Sequence, residues 1–346
     1  MALVRSPFAD RQFELVDLTS AVRNIPIQYG TFNQMGIFTE EGVAADTVMF
    51  EETTQDGALI VDRVRGDKNS VSKDNTRVLH TFAIPHFPLD DYISPKDLQA
   101  KSAYDNFSEV EQLDKVRMRK LMRIRQNHDW TLNKARAQAL FSGTAYAPNG
   151  TVNQDWNVEF GNTRKEVDFA LGTAGTEVLA KIELIIQAVH DGMGGNGTFT
   201  GIVIPCDTGF FNKLITHASV KAAYTFWVAN QGMDPTRGRL APAGSPMPNG
   251  REFFFGGVTF REVRDSYNGT KIVTANEGVA VPIGSDMFKT YFAPAERFGL
   301  VNTEGEKMYA FEEASTNGTK INIETESNHI SALLRPQAVI RAFSSN

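Results

Sequence analysis

The stretch "SEVEQLDKVRMRKLMRIRQNHDWTLNKARAQALFSG" runs from Ser108 to Gly143, and its periodicity decides how the rest of the chain is arranged. Ser108 with Glu111 makes a capping box, in which two side chains satisfy the orphan N–H groups of a helix start. Gly143 stands where the residue after a helix needs a left-handed backbone. At about 100° per residue, Val110, Leu113, Leu121, Ile124, His128, Leu132, Ala135 and Ala139 share one stripe roughly 100° wide. A helix of about 34 residues would be about 50 Å long at about 1.5 Å per residue. That is longer than one compact domain needs, and it reads as a strut.

Immediately upstream, "HTFAIPHFPLDDYISPKDLQ" (His80 to Gln99) gathers two histidines, three acids and three prolines. Strand alternation places His80 with Val78, Phe82 and Ile84 on one packing face. His86 would lie about 20 Å further on at about 3.3 Å per residue, so joint metal binding needs a reversal at Pro85. The adjacent Asp90 and Asp91 point in different directions. Ser94, Pro95 and Asp97 suit the N-cap, first and third positions of a short helix. The stretch is therefore expected to be a joint that turns a strand into a helix.

Before the joint, "GALIVDRVR" (Gly57 to Arg65) and "TRVLHTFAI" (Thr76 to Ile84) flank the polar "GDKNSVSKDN". They predict a long two-stranded excursion with a solvated tip. Such a pair is marginal alone and needs a neighbour, which could be another subunit. The N-terminal "MALVRSPFADRQFELVDLTSAV" has no apolar leader and reads as an extended arm that a partner surface must order. After the strut, Thr144 to Phe160 is expected to form a second hairpin. From Gly175 onward helices and strands alternate, interrupted by the Pro- and Gly-rich loop Gly232 to Gly250, and β-rich segments close the chain.

Composition narrows the function. The 346 residues are 41% hydrophobic and 22% charged, with net charge −6 and pI near 5.6. This argues against a surface that embraces nucleic acid all round. A single cysteine, Cys206, excludes an internal disulfide and a cysteine-based zinc cluster. No run of about 18 apolar residues occurs, so no membrane partner is expected.

The motifs that hint at chemistry have structural readings. Gly192, Gly194 and Gly197 match a dinucleotide glycine pattern, but a helix precedes them and a strand follows, the reverse of what a phosphate cradle requires. A helix C-cap is expected. Asp207, Thr208 and Gly209 spell the aspartic protease triplet without the second carboxylate that chemistry needs, so Asp207 or Thr208 is read as an N-cap. Cys206 is expected to be a small buried hydrophobe, and His128 a packed histidine. His190, His217 and His329 are isolated. No catalytic, metal or cofactor site is expected. Lys115, Arg117, Arg119, Lys120, Arg123 and Arg125 form a basic helix face that could meet phosphates, acidic neighbours or solvent, and a nucleic-acid-binding protein using helix residues 115–125 is the alternative reading.

The order of parts, with "FAIPHFPLDD", "ISPKDLQ", "ALFSG", "DWNVEFG", "YFAPAERFGLVNTEGEKMYA" (Tyr291 to Ala310) and "IETESNHISALLRPQAVIR" (Ile323 to Arg341), resembles the major capsid protein E family of tailed bacteriophages, the phage lambda major head protein type. The resemblance runs over nearly the whole chain. It implies an α+β Hong Kong 97-type capsid fold: arm and lead-in at 1–50, extended E-loop at 51–84, P-domain at 85–175 with spine helix 108–142, A-domain at 176–336, and a terminal strand, 337–346, returning to the P-domain. It also implies hexamers and pentamers closing an icosahedral shell around double-stranded DNA. Portal and scaffold proteins would act during assembly in the host cytoplasm, and a decoration or cement protein could follow on the virion. The E-loop would lie on a neighbouring subunit, with Arg63, Arg65, Lys68 and Lys73 meeting acidic patches there. The family is not catalytic.

Overall fold

The structure is a computed structural model that describes residues 16–23, 25, 30–54, 76–99, 109–194, 198–223, 250–315 and 317–346. The strut is a continuous helix, Glu109–Ser142. It ends at Gly143 in left-handed backbone (φ 71°), with Asn157 Nδ2 in the space a Cβ would take. Ser108, the expected cap, lies outside the described residues. The buried stripe holds Leu113, Leu121, Ile124, His128, Leu132, Ala135 and Ala139, as the periodicity predicts, and gains Val116, Ala137, Leu140 and Phe141.

The helix belongs to two cores. Leu113, Val116, Leu121 and Ile124 pack with Val22, Ile93, Met308, Ala310 and Ile323. Ala137, Ala139, Leu140 and Phe141 join a much larger cluster that reaches across the molecule. A helix that enters a core on more than one side loses its polar face, which is why the simple stripe widens toward Ser142.

A seven-stranded sheet is organised around the long strand Ile321–Leu333. Tyr309–Ala314 pairs antiparallel with its first half and Phe288–Phe292 with its second. Thr39–Gly42 runs parallel to Phe288–Phe292, and Val16–Asp17 pairs with Tyr309–Ala314. The joint supplies two short strands to the long one, His86–Pro88 and Asp91–Ile93. After it comes the short helix Pro95–Gln99, closed by Ser94 N–H donating to Asp97 Oδ2 at 3.1 Å. The strand-to-helix joint is therefore formed as expected.

A six-stranded sheet takes the order Glu166–Asp168, Ile340–Phe343, Glu277–Ile283, Gly201–Asp207, Val258–Val263, Glu252–Phe255. Helices Val178–Met193 and Thr208–Thr216 bury apolar residues in the same core as this sheet. Gly194 closes the first helix in left-handed backbone (φ 61°), and the Asp207 side chain caps the second, accepting from Gly209 N. Both capping expectations hold. Cys206 is fully buried, and desolvation pushes its thiol pKa well up.

Two expectations about segments are corrected. The segment Thr144–Phe160 is not a hairpin: one isolated bridge joins Thr144 to Asp155, and Trp156–Glu159 is a short helix capped by Asp155. Asp155 accepts from two backbone N–H groups while Trp156 is buried completely, so capping and burial together override strand alternation.

The terminal strand belongs to the six-stranded sheet and not to the sheet beside the long helix, and one of its two partners, Glu166–Asp168, falls within the 85–175 expected for the P-domain. Ile340–Phe343 lies between Glu277–Ile283 and Glu166–Asp168, whereas Phe288–Phe292, Tyr309–Ala314 and Ile321–Leu333 form the sheet that runs beside that helix. Strand pairing is decided by register between segments far apart in sequence, which chain order does not reveal.

In the excursion, the strand opposite Thr76–Ala83 is Thr47–Thr54, with Val48 and Phe50 on its inner face, while 57–65 lies outside the described residues. Of the face expected to pack, His80 and Phe82 are buried but Val78 is 43% exposed. Only the end of the ribbon nearest the body has something to pack on.

Candidate functional site

The ribbon root is anchored by aromatics. Phe82 meets Trp156 edge-on at 4.8 Å between ring centroids, and Phe50 lies 5.2 Å from both Phe82 and Tyr291. His80 adds the polar part: Nδ1 is 2.9 Å from Glu159 Oε1 and Nε2 is 3.1 Å from Glu52 Oε2. Glu52 belongs to the facing strand and Glu159 to the short helix after Trp156, so one imidazole ties the ribbon to the body. Its hydrogen bond to Glu159, seconded by Glu52, raises the His80 pKa. The sequence reading placed His80 on the buried face but missed both carboxylates. Glu159 lies 79 residues away.

The opposite side of the ribbon root is apolar and open, with Met49 65% and Leu79 64% exposed. The proposed contact residues Arg63, Arg65, Lys68 and Lys73 lie outside the described residues.

The basic helix face is largely occupied from within. Arg117 is bidentate to Glu312, at 2.6 and 2.8 Å, and also meets Asp114. Lys120 reaches Asp91 at 3.1 Å, and Arg123 reaches the other oxygen of Asp91 at 2.6 Å. Arg125 is buried beside Asp129, 3.2 Å away. Lys115 and Arg119 remain on the exposed side. Asp91, from the joint, thus serves as a socket for the helix; against the cost of burial, a hydrogen bond from Tyr92 N–H and then Lys120 and Arg123 hold its carboxyl below the usual range. No spacing in the sequence could reveal that Glu312 answers Arg117, because 195 residues separate them.

Further along the helix, Asn133 Nδ2 donates to Asp265 Oδ2 at 3.0 Å, and Asp265 also accepts from Thr31 N and Thr31 Oγ1. Arg136 donates to Asn33 Oδ1 and Glu40 Oε1. His128 lies 3.1 Å from Thr325 Oγ1, and burial lowers its pKa to about 4. His329, completely enclosed and stacked 4.7 Å from Phe87, is lowered to about 3, chiefly by burial.

In the six-stranded sheet, Glu262 is fully buried between Arg251 and Arg264, and its pKa falls to about 2 because those guanidinium partners outweigh desolvation. Asp207 caps its helix and binds Lys271 at 2.6 Å. Each of these ionisable groups has a structural partner. Among the described residues, no group of three His, Cys, Asp or Glu side chains is arranged to hold a metal ion, and no helix is long and apolar enough to cross a membrane.

A family model described as phage major capsid protein E matches residues 14–344. The chain is 40% identical over 348 residues to the major capsid protein of Pseudomonas phage KPP10, covering 97% of this chain and 98% of that one. It is 25% identical to the major capsid protein of Salmonella phage Felix O1, covering 95% of each. Among solved structures, its fold is similar to the putative capsid protein of an Escherichia coli CFT073 prophage, with TM-score 0.55 and 10% identity over 96% of this chain and all of the other. It is also similar to the capsid protein of cyanophage P-SCSP1u, with TM-score 0.51 and 13% identity over 92% of this chain and 89% of that one.

Proposed function

This chain belongs to the phage major capsid protein E family, with the Hong Kong 97-type capsid fold, and on that premise we propose that it self-assembles as hexamers and pentamers into the icosahedral shell enclosing the phage double-stranded DNA. The observation that carries the proposal is the ribbon root Thr47–Thr54 with Thr76–Ala83. One face is locked onto the body through His80 and Phe82, while the other exposes Met49 and Leu79. A two-stranded ribbon with an open apolar face is marginal in water and gains its stability from a neighbour. Repeated around a closed shell, many such contacts sum, so each can be weak on its own.

In this reading, residues 1–50 are the arm and lead-in, 51–84 the E-loop, 85–175 the P-domain with its spine helix, 176–336 the A-domain, and 337–346 a terminal strand returning to the P-domain. Arg63, Arg65, Lys68 and Lys73 meet acidic patches on neighbours. Portal and scaffold proteins take part during assembly in the host cytoplasm, a decoration or cement protein binds the finished head, and the packaged DNA is met without sequence preference. The chain acts by assembly and catalyses nothing. The ion pairs that occupy Arg117, Lys120 and Arg123 weigh against a nucleic-acid-binding protein built on that helix.

Electron microscopy of the expressed chain tests the reading: shells, tubes or capsomers support it, and a salt-sensitive DNA-bound monomer overturns it. Charge reversal, Arg65→Glu with Lys68→Glu, is expected to lower shell yield; an unchanged yield removes the loop charges from the account.

A further inference from the structure

The loop between strands Phe288–Phe292 and Tyr309–Ala314 places Phe298 fully in solvent, at 102% exposure, with Val301 beside it at 62%. This exposure is not the result of a slack loop. Leu300 packs on Ala295, Tyr309 and Phe311. The Arg297 guanidinium binds Glu324 and lies 4.9 Å from the Phe311 ring centroid. Thr303 Oγ1 donates to Leu300 O at 2.7 Å. Gly305 N–H donates to Val43 O at 3.0 Å, and a Cβ on Gly305 would collide with Phe292 O. The scaffold is fixed, and it holds a phenyl ring out in water.

Elsewhere the surface has a feature of the opposite shape. Beside the middle of the long helix is a groove of about 770 Å³, lined by Phe87, Trp130, Tyr146 and Tyr267 together with Lys134 and Lys271 and, among the described residues, by no carboxylate. Its aromatics pair across two contacts, Phe87 with Tyr146 at 6.0 Å and Trp130 with Tyr267 at 6.1 Å. The Lys134 ammonium donates to Ile272 O at 3.1 Å, and burial lowers its pKa, so an arriving carboxylate would stabilise it. The Phe298 tip carries exposed carboxylates on both flanks, Glu296 and Glu304.

We propose that the Phe298–Val301 tip of one chain inserts into the aromatic groove of a second copy, with Glu296 or Glu304 meeting Lys134. The proposal rests on the capsid reading and deepens it by naming two surfaces that meet. An apolar knob and a complementary pocket on different parts of one molecule make a head-to-tail contact, which propagates from copy to copy and closes when the rotation allows. Aromatic rings meeting in a desolvated pocket, with charge complementarity at the rim, are the kind of contact that dominates interface energetics.

Disulfide trapping in assembled shells tests it. The one native cysteine, Cys206, is buried and does not compete. Two pairs are introduced separately, Phe298→Cys with Asn149→Cys, and Val301→Cys with Thr151→Cys. Mild oxidation is expected to link chains into a ladder on a non-reducing gel for at least one pair, and not for any single substitution or for unassembled chain. Shells that form from both double variants and give no ladder overturn the proposal. If the double variants do not assemble, radical footprinting of unmodified shells decides: Phe298, Tyr146 and Tyr267 should all be protected relative to free chain, and unchanged labelling of Phe298 overturns it. Protection of Phe298 only when a different protein binds the shell also overturns it. If the unmodified chain forms no shells, the underlying capsid reading fails, a result distinct from shells that form without the contact.

Discussion

The two halves of the long helix solve different problems. From Leu113 to Arg125 the helix presents an apolar row to a small core and answers its charges with Glu312 and Asp91 near the surface. From His128 to Ser142 it is buried nearly all round, and its polar groups, Asn133, Arg136 and His128, are met by partners inside the protein. In the first half an exposed pair such as Arg123 with Asp91 can be shed to water at small cost. The polar groups of the second half cannot, because a buried polar group without a partner carries its full desolvation penalty.

That contrast can be broken by mutation. Leu140→Ala, in the fully buried half, is expected to cost about 2–5 kcal/mol, since a cavity adds to the lost transfer energy; chemical denaturation of the unassembled chain measures it, and a cost under about 1 kcal/mol would contradict the burial. Arg117→Ala is expected to cost about 1.5–3 kcal/mol, the range for hydrogen bonds to charged groups, because Glu312, only 8% exposed, loses both bonds. A Glu312→Gln background should recover part of that loss.

Acid should act mainly on the buried half. The folded pKa values of His128 and His329, about 4 and about 3, lie below their unfolded value near 6.5, so unfolding takes up protons between those limits. Each should cost about 1.4 kcal/mol per pH unit as pH falls through that window. Titration of unfolding free energy should show the slope reduced by close to one proton in His128→Gln.

Arg123→Ala belongs to the exposed end. Its side chain is 66% exposed, so the loss should be about 0–1 kcal/mol, screened further by salt. His80→Gln should have the smallest effect, and one with a signature. The raised folded pKa of His80 means its contribution is fully present below the unfolded value near 6.5 and fades as pH rises through the higher folded value. Wild type and variant should therefore converge in stability at alkaline pH, and a gap that widens there would overturn the clasp.

Local rules were enough for the long helix, its glycine stop, the Asp207 cap, the Gly194 cap and the strand-to-helix joint, because each depends on residues within a few positions of one another. The same rules failed between Thr144 and Phe160, where Trp156 burial and the Asp155 cap decided the outcome. They do not reach the pairing of Ile340–Phe343, whose sheet partners are dozens of residues or more away. The basic run was legible as charge but not as function: whether Arg117 and Arg123 face solvent, phosphate or Glu312 and Asp91 is a matter of distance in space. Nothing in the composition of the Phe298 tip marks it as outward-facing.

What the amino-acid sequence determined alone was periodicity, caps and the order of parts, and through that order the family. Those properties arise from steric and hydrogen-bonding preferences within a turn or a strand. Tertiary structure decided which strands share a sheet, which charges neutralise one another and which apolar residues remain in water, because burial and Coulomb interaction depend on separation through space, and the chain brings residues hundreds of positions apart to within 3 Å.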